Sequence, residues 1–545
     1  MPTRPRPFAG RPLRRATALL VLLAGVASAC GADAGVITLS AAPTPTVVTI
    51  PPVLRQETPP TDDSVAVDDP LAVPVADESP TVSLPPIVEP ELRVTIPFAD
   101  VVDVDDNKPP RDHDEFVAVA FTDIERWWGE VFPLVYGKPY EPLEGGVYAG
   151  YPERESPIPG CGERTTAYVD LQLYVAFYCE FGDFMAYDDG NVGDSLLTPL
   201  ADAYGPAVMG IVLAHEYGHA IQSRIGALDE FHATIVTEQQ ADCFAGAWTG
   251  QAFRAESPLL RLGDADVRAG LLAMLEVRDP VGTDQFVPGG HGSAFDRVGA
   301  FQEGFINGPG RCAELLDQPL PLMPNQFQLL VDLKREGNAS YDCSDDTDPD
   351  CSPAPEFLAE DINDFWQTAL GTDFTAVTAL AVDDLARFSC DGMVTLTTQV
   401  AVCPSDHTVV YDEPKAIELY REFGDFTLGY FYGIGWAELA QQALASPLTG
   451  ESRALLNDCF TGAWVRDITP DDLGNTPRQG DRDGDGVPDT VTSSPGDLDE
   501  AIRIAILVGD AGINVDAVGS PFEKIDSFRT GVLDGLAACQ AMLDS

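Results

Sequence analysis

In "GIVLAHEYGHAIQ" (210–222), His215 and His219 stand four apart within an apolar run. On a helix that spacing puts both imidazoles on one face, within reach of one metal ion. Glu216, one step round from His215, is placed to touch a water on that ion rather than the ion itself. A catalytic zinc takes three protein ligands and keeps a fourth position open. Nineteen residues past His219 comes Glu238, in "EQQADCFAGAW", and Asp242 follows four later on the same helical face. Glu238 on a facing helix completes a His, His, Glu set, and Asp242 can accept the remaining N–H of a ligand histidine and fix its orientation. The chemistry such a set supports is attack by water on a carbonyl. Zinc lowers the water's pKa toward about 7, Glu216 takes the proton, and a nearby donor holds the developing oxyanion.

"HEYGHAIQ" followed by "EQQADCFAGAW" resembles the bacterial neutral zinc metallopeptidase family. The resemblance extends upstream through "CGERTTAYVDLQLYVAFYC" and downstream through "HGSAFDRVGAFQEGFINGPGRC", about 115–315 in all. It implies a gluzincin-like fold and hydrolysis of peptide bonds in a protein or peptide substrate. Ala220 and Gln239 depart from the family's usual residues, and neither departure removes a ligand. His291, in the matched segment, is the candidate oxyanion donor, with a structural histidine as the alternative. Arg297 reads as a helix-anchoring cation and Tyr187 as a packing residue. His113, His232 and His407 lack ligand-spaced partners and read as ordinary histidines.

The elements that must position these residues are written twice. "ADCFAGAW" returns as "NDCFTGAW", and the helical pattern "DEFVAVAFTDIERWWGEVF" (114–132) returns as "PEFLAEDINDFWQTAL" (355–370), with Asp123 and Trp128 opposite Asp361 and Trp366. The eight-residue step from Cys179 to Tyr187 recurs from Cys403 to Tyr411, and "RVGAFQEGF" precedes Cys312 much as "RTGVLDGL" precedes Cys539. Collinear matches of this kind indicate a duplicated unit of domain size. The expected fold class is therefore α+β: two tandem, related, mainly helical zincin-like domains with small β-sheets, docked as an intramolecular pseudo-dimer. Aligned on shared glycines, the second unit has Ile434, Gly435 and Glu438 where the first has His215, Glu216 and His219, and Ala454 replaces Glu238. One zinc per chain follows.

A disulfide pattern inherited by both copies must map onto itself. Cys161 with Cys179 then corresponds to Cys390 with Cys403, and Cys243 with Cys312 to Cys459 with Cys539. Cys343 and Cys351 remain to close a short loop, and Cys30 is left over from the eleven cysteines. Inside the second unit, "DRDGDGVPD" places Asp481, Asp483 and Asp485 at alternate positions with Asp489 beyond, which suits either a calcium loop or a solvated acidic turn.

Five arginines precede an apolar run ending "VASAC", the pattern of a removed signal peptide (1–29) with Cys30 as a lipidated first residue, or of ordinary signal-peptidase cleavage. An odd cysteine that carries lipid, beside ten that pair, favours a cell-surface lipoprotein over a secreted protein. From 31 to 110 the chain holds 15 of its 45 prolines and no helical period, so 30–110 is expected to be a disordered, lipid-anchored tether. The remaining divisions are a zinc metallopeptidase domain at 111–320, a junction at 321–354 and a degenerate domain at 355–545. A formal net charge of -55 excludes nucleic acid as a partner and leaves the lipid as the only means of membrane association. The rival reading is a zinc-containing surface scaffold without catalysis. Glu216 argues against it, because a structural zinc site has no use for a general base.

Overall fold

"DEFVAVAFTDIERWWGEVF" folds as α1 (Asp114–Tyr136), which turns Phe116, Ala120, Ile124, Trp127 and Trp128 inward and ends where Gly137 takes φ 67. A left-handed C-terminal residue of this kind satisfies orphan carbonyls at no steric cost to glycine. The computed structural model describes residues 87–162, 175–190, 197–228, 232–327, 333, 337–344, 351–469, 479–480, 489–490, 492–509 and 519–544. The expected sites at Cys30 and at Asp481, Asp483 and Asp485 lie outside them. Asp489 is described only as backbone.

Residues 87–110 are folded, which moves the start of the ordered body ahead of the expected boundary. β1 (Glu91–Leu92) pairs antiparallel with β5 (Leu260–Arg261), and Asp103 N donates to Val147 O at 2.7 Å. Lys108 reaches Asp189 at 2.7 Å and Asp114 at 2.9 Å. A two-residue strand and a few turns have no periodicity of their own, so contacts from elsewhere in the chain order this stretch.

After α1 come β2 (Gly146–Gly150), β3 (Ala176–Cys179) and β4 (Phe184–Asp188), which form a sheet in the order β2-β4-β3. Helices α2 (Leu197–Tyr204), α3 (Ala207–Ile225), α4 (Thr234–Phe253), α5 (Asp264–Glu276), α6 (Ala294–Asn307) and α7 (Pro309–Glu314) follow. The second half is also helical with a small sheet. α8 (Ala354–Leu370) leads into β6 (Thr378–Val382), β7 (Val394–Thr395), β8 (Val400–Cys403) and β9 (Thr408–Asp412), in the order β6-β9-β8-β7. Then come α9 (Glu413–Phe423), α10 (Phe426–Ala443), α11 (Gly450–Ile468), the short pair β10 (Gln479–Gly480) and β11 (Asp489–Thr490), α12 (Asp497–Gly509), α13 (Pro521–Asp534) and α14 (Leu536–Ala541). The chain is thus α+β, helical with small sheets. No helix among the described residues is long and apolar enough to cross a membrane.

Matching residues make matching contacts. In each sheet one parallel and one antiparallel neighbour flank the central strand, with Cys179 opposite Phe184 and Cys403 opposite Thr408. Trp248 donates to Asp123 at 3.0 Å and Trp464 to Asp361 at 2.6 Å. Trp128 meets Phe244 edge-on at 5.0 Å and Trp366 meets Phe460 at 5.1 Å. The repeated glycine of "CFAGAW" and "CFTGAW" has a steric cause. A Cβ on Gly246 would overlap Phe301 O, and one on Gly462 would overlap Phe528 O. Gly304 and Gly531 answer from the opposing helices, against Cys243 O and Cys459 O. These crossings hold α4 to α6 and α11 to α13 at backbone distance, beside the bonds Cys243–Cys312 and Cys459–Cys539. The remaining bonds join Cys161 to Cys179, Cys343 to Cys351 and Cys390 to Cys403.

The same contacts correct one register. Gly304 matches Gly531 and Cys312 matches Cys539, which sets Arg297 against Lys524 and not Arg529. The shared Arg-x-Gly letters drew the sequence alignment five residues out of register.

The hydrophobic core is continuous across both halves. At the seam, Gln302 of α6 donates to Phe522 O at 2.9 Å, and Arg529 of α13, at the matching position, donates to Phe295 O. Phe305 packs on Phe522 at 4.6 Å. Asp296, buried beside this seam, accepts from Met323 N at 3.0 Å. Burial pushes its carboxyl up to about 7, with the Met323 N–H and Arg529 opposing and Asp499 reinforcing the rise. A carboxyl raised in the fold contributes stability at low pH that is lost as pH climbs through 7. Asp296→Asn is therefore expected to be more stable than wild type at pH 8, by about 2–4 kcal/mol, with the gain vanishing near pH 3. Urea unfolding at both pH values measures it.

Candidate metal centre

α3 is buried along nearly its whole length, and its polar residues fall where partners meet them. Gly218 lies against Ala241, and a Cβ there would stand 2.9 Å from the Ala241 Cα, so this glycine lets α4 close on α3. The close crossing brings Glu238 between the two histidines. His215 Nε2 lies 3.3 Å from Glu238 Oε2, and His219 Nε2 lies 3.5 Å from Glu238 Oε1. Ligands about 2.0–2.1 Å from a tetrahedral zinc stand roughly 3.3 Å apart, so this spacing fits.

The donors are also held as a metal requires. Asp242 Oδ1 lies 2.7 Å from His215 Nδ1, which keeps a proton there and turns Nε2 toward Glu238. Gln222 Oε1 lies 2.9 Å from His219 Nδ1, and Gln222 Nε2 donates to Thr237 O at 2.7 Å. His219 Nε2 and Glu238 Oε2 are buried without an aligned hydrogen-bond partner. Buried polar atoms of a native fold are seldom left so, and a cation between them would satisfy both. Electrostatics agrees. Burial works against a charge on His215, but Asp242 and then Glu238 outweigh it and push the imidazole up to about 10. Burial likewise works against a charge on Glu238, and His219, His291 and His215 together hold its carboxyl well below the usual range. A divalent ion would supply the positive charge that these carboxylates now draw from protons.

Glu216 is 4% exposed and lies with His215, His291, Val212 and Met274 around a cavity of about 20 Å³, room for roughly one water. Its Oε2 accepts from Tyr178 N at 3.1 Å, on β3 at the edge of the sheet. His291 points its Nε2 toward Glu238 Oε2 at 3.9 Å, outside the three converging donors, while its Nδ1 lies 3.7 Å from Asp279 Oδ1. Arg297 does more than anchor a helix. Its Nε and Nη2 donate to the two oxygens of Asp242 at 2.9 and 2.8 Å, and its Nη1 donates to Val277 O at 2.7 Å. Tyr187 is fully buried in its sheet, away from this cavity. Among the described residues, His113 pairs with Asp189 at 2.7 Å, where Lys108 already supplies a cation.

Gln222 and Asp279 escaped sequence reasoning. Gln222 carried a usable signal, since it follows His219 by three on the same helical face. Asp279 sits in a loop whose fold alone brings it to His291.

In the second half the equivalent space is filled by side chains. Glu438, opposite His219, is gripped by Arg453 at 2.6 Å and accepts from Asn457 Nδ2 at 3.1 Å. Asp458, opposite Asp242, accepts from Tyr430 at 2.5 Å and from Lys524 at 2.8 Å. Arg453 thus occupies the carboxylate that stands in place of His219, and Tyr430 and Lys524 answer Asp458 as His215 and Arg297 answer Asp242.

Residues 99–314 match the family described as "putative neutral zinc metallopeptidase". Among curated proteins, the uncharacterized protein Rv2575 of Mycobacterium tuberculosis is 34% identical over 157 residues, 25% of this chain and 53% of that protein. Mb2605 of Mycobacterium bovis matches to the same extent. The chain therefore spans about half the length of these relatives. YpfJ of Escherichia coli is 27% identical over 222 residues, 36% of this chain and 70% of that protein. No solved structure matches. The family match falls on the half of the chain that carries the His, His, Glu convergence, and so supports a zinc-dependent hydrolase in coarse outline.

Proposed function

We propose that this chain is an exported zinc metallopeptidase made by duplication, with one working unit and one that kept the framework and lost the metal set. The observation that carries the reading is the approach of His215 Nε2, His219 Nε2 and both Glu238 oxygens, with Glu216 on the same cavity. His215, His219 and Glu238 would hold zinc, which when bound acidifies water and polarises a carbonyl. Glu216 accepts the proton of the attacking water and delivers it to the leaving amine. His291 donates to the oxyanion, with Asp279 holding the far side of its ring. Asp242 and Arg297 fix His215. The Gly246–Gly304 and Gly462–Gly531 crossings, with their paired disulfides, support the duplication. Ten cysteines in bridges leave Cys30 for a lipid, which supports a surface-anchored protein acting on protein or peptide substrates.

Purified protein should carry one equivalent of tightly held zinc, and His219→Ala should carry none. Elemental analysis after dialysis decides this. Two equivalents, or zinc retained by the variant, would contradict the assignment.

A further inference from the structure

Phe295 stands two residues before Arg297 in the first turn of α6, and the second half takes both of its backbone groups. Its N–H donates to Asp499 Oδ1 at 2.9 Å. Its carbonyl accepts from Arg529 Nη1, whose guanidinium lies 4.2 Å from the Phe295 ring centroid. The other oxygen of Asp499 pairs with Arg278 Nε at 2.9 Å. Arg278 directly follows Val277, whose carbonyl accepts from Arg297. Asp499 therefore joins the Phe295 backbone to the Arg278 side chain, one residue from the Val277 carbonyl that Arg297 holds. Both Asp499 and Arg529 are buried, at 4% and 7% exposure. Gly299 is part of the fit, because a Cβ there would overlap the Arg529 guanidinium.

We propose that the second half acts as a positioning device for the metal centre. Asp499 and Arg529 fix the Phe295 backbone in the first turn of α6 so that Arg297 holds Asp242, and Asp242 holds His215, in the orientation that retains zinc. Neither residue touches the donors, so both are positioning residues. The inference rests on the reading of His215, His219 and Glu238 as a zinc site. It differs from general cohesion between the halves, because the same seam holds a peripheral contact, Phe305 with Phe522 at 4.6 Å, near the far end of α6 from Arg297.

The test measures zinc release from the full-length chain into excess chelator, with thermal unfolding and peptide hydrolysis followed in parallel. Removing groups that orient metal ligands typically costs 10–100-fold in affinity, so Asp499→Ala and Arg529→Met should each release zinc about tenfold faster than wild type. Asp499→Asn, which still accepts from Phe295 N, should recover most of the loss. Phe522→Leu serves as the control, expected to stay within about twofold of wild type whatever its effect on unfolding. Wild-type release from Asp499→Ala, or equal acceleration in Phe522→Leu, overturns the proposal. If Asp499→Ala does not fold, Arg529→Met with the same control carries the decision. A wild type that holds zinc but cleaves no peptide would sink the peptidase reading alone, since release rates still decide this one. A wild type that holds no zinc sinks both.

Discussion

Glu216→Gln is expected to abolish peptide hydrolysis, with kcat down by about 10²–10⁴-fold, the usual contribution of a positioned general base. The substitution keeps the shape of the side chain and leaves His215, His219 and Glu238 in place. One equivalent of zinc and an unchanged Tm should therefore accompany the loss. Glutamine can still accept from Tyr178 N, the contact Glu216 makes now, so local packing has no reason to change. Hydrolysis of an unfolded protein or a peptide library, read beside zinc content, checks it. Equal activity in wild type and variant, or none in a zinc-loaded wild type, would favour the non-catalytic scaffold.

Asp242→Ala should be the most damaging single change near the site. Arg297 is buried and gives two of its donors to Asp242, so the variant strands a guanidinium in the core. Breaking a buried pair from one side typically costs about 3–5 kcal/mol. His215 loses its orienting acceptor at the same time, which should cost a further 10–100-fold in zinc affinity. Burial works against a charge on Asp242, and Arg297 followed by His215 hold its carboxyl below the usual range. The penalty should therefore persist from neutral pH down through mildly acidic conditions. Urea unfolding with and without zinc separates the two losses. Asp242→Asn, which can still accept from both neighbours, should fall between alanine and wild type.

The convergence of His215, His219 and Glu238 was legible because helices turn sequence spacing into direction. His215 and His219 share a face by arithmetic, and Asp242 shares one with Glu238 for the same reason. The disulfide pairs were legible because the recurring sequence patterns around the cysteines constrain each other. What escaped depended on contacts between elements distant in sequence. Arg297 was recognised as an anchor, but its hold on Asp242 needs the α4–α6 crossing. Its counterpart Lys524 was missed because a neighbouring arginine and glycine imitated the motif, and only the shared glycine contacts fix the register. Residues 87–110 carry too little pattern to signal order and are held by contacts such as Lys108 with Asp189 and Asp103 with Val147. Asp499 lies 204 positions from the Phe295 amide it binds, and no local pattern reports such a distance.

The continuous apolar interior shared by the two halves bears on how the molecule comes apart. Where interiors merge, neither half can open without exposing the other, and melting tends toward a single all-or-none event. An ion captured in one half then lends its binding free energy to both, by mass action on the shared native state. A chelator should lower one common transition, and a fragment ending near residue 320 would begin life with a large greasy wound where its sister had been.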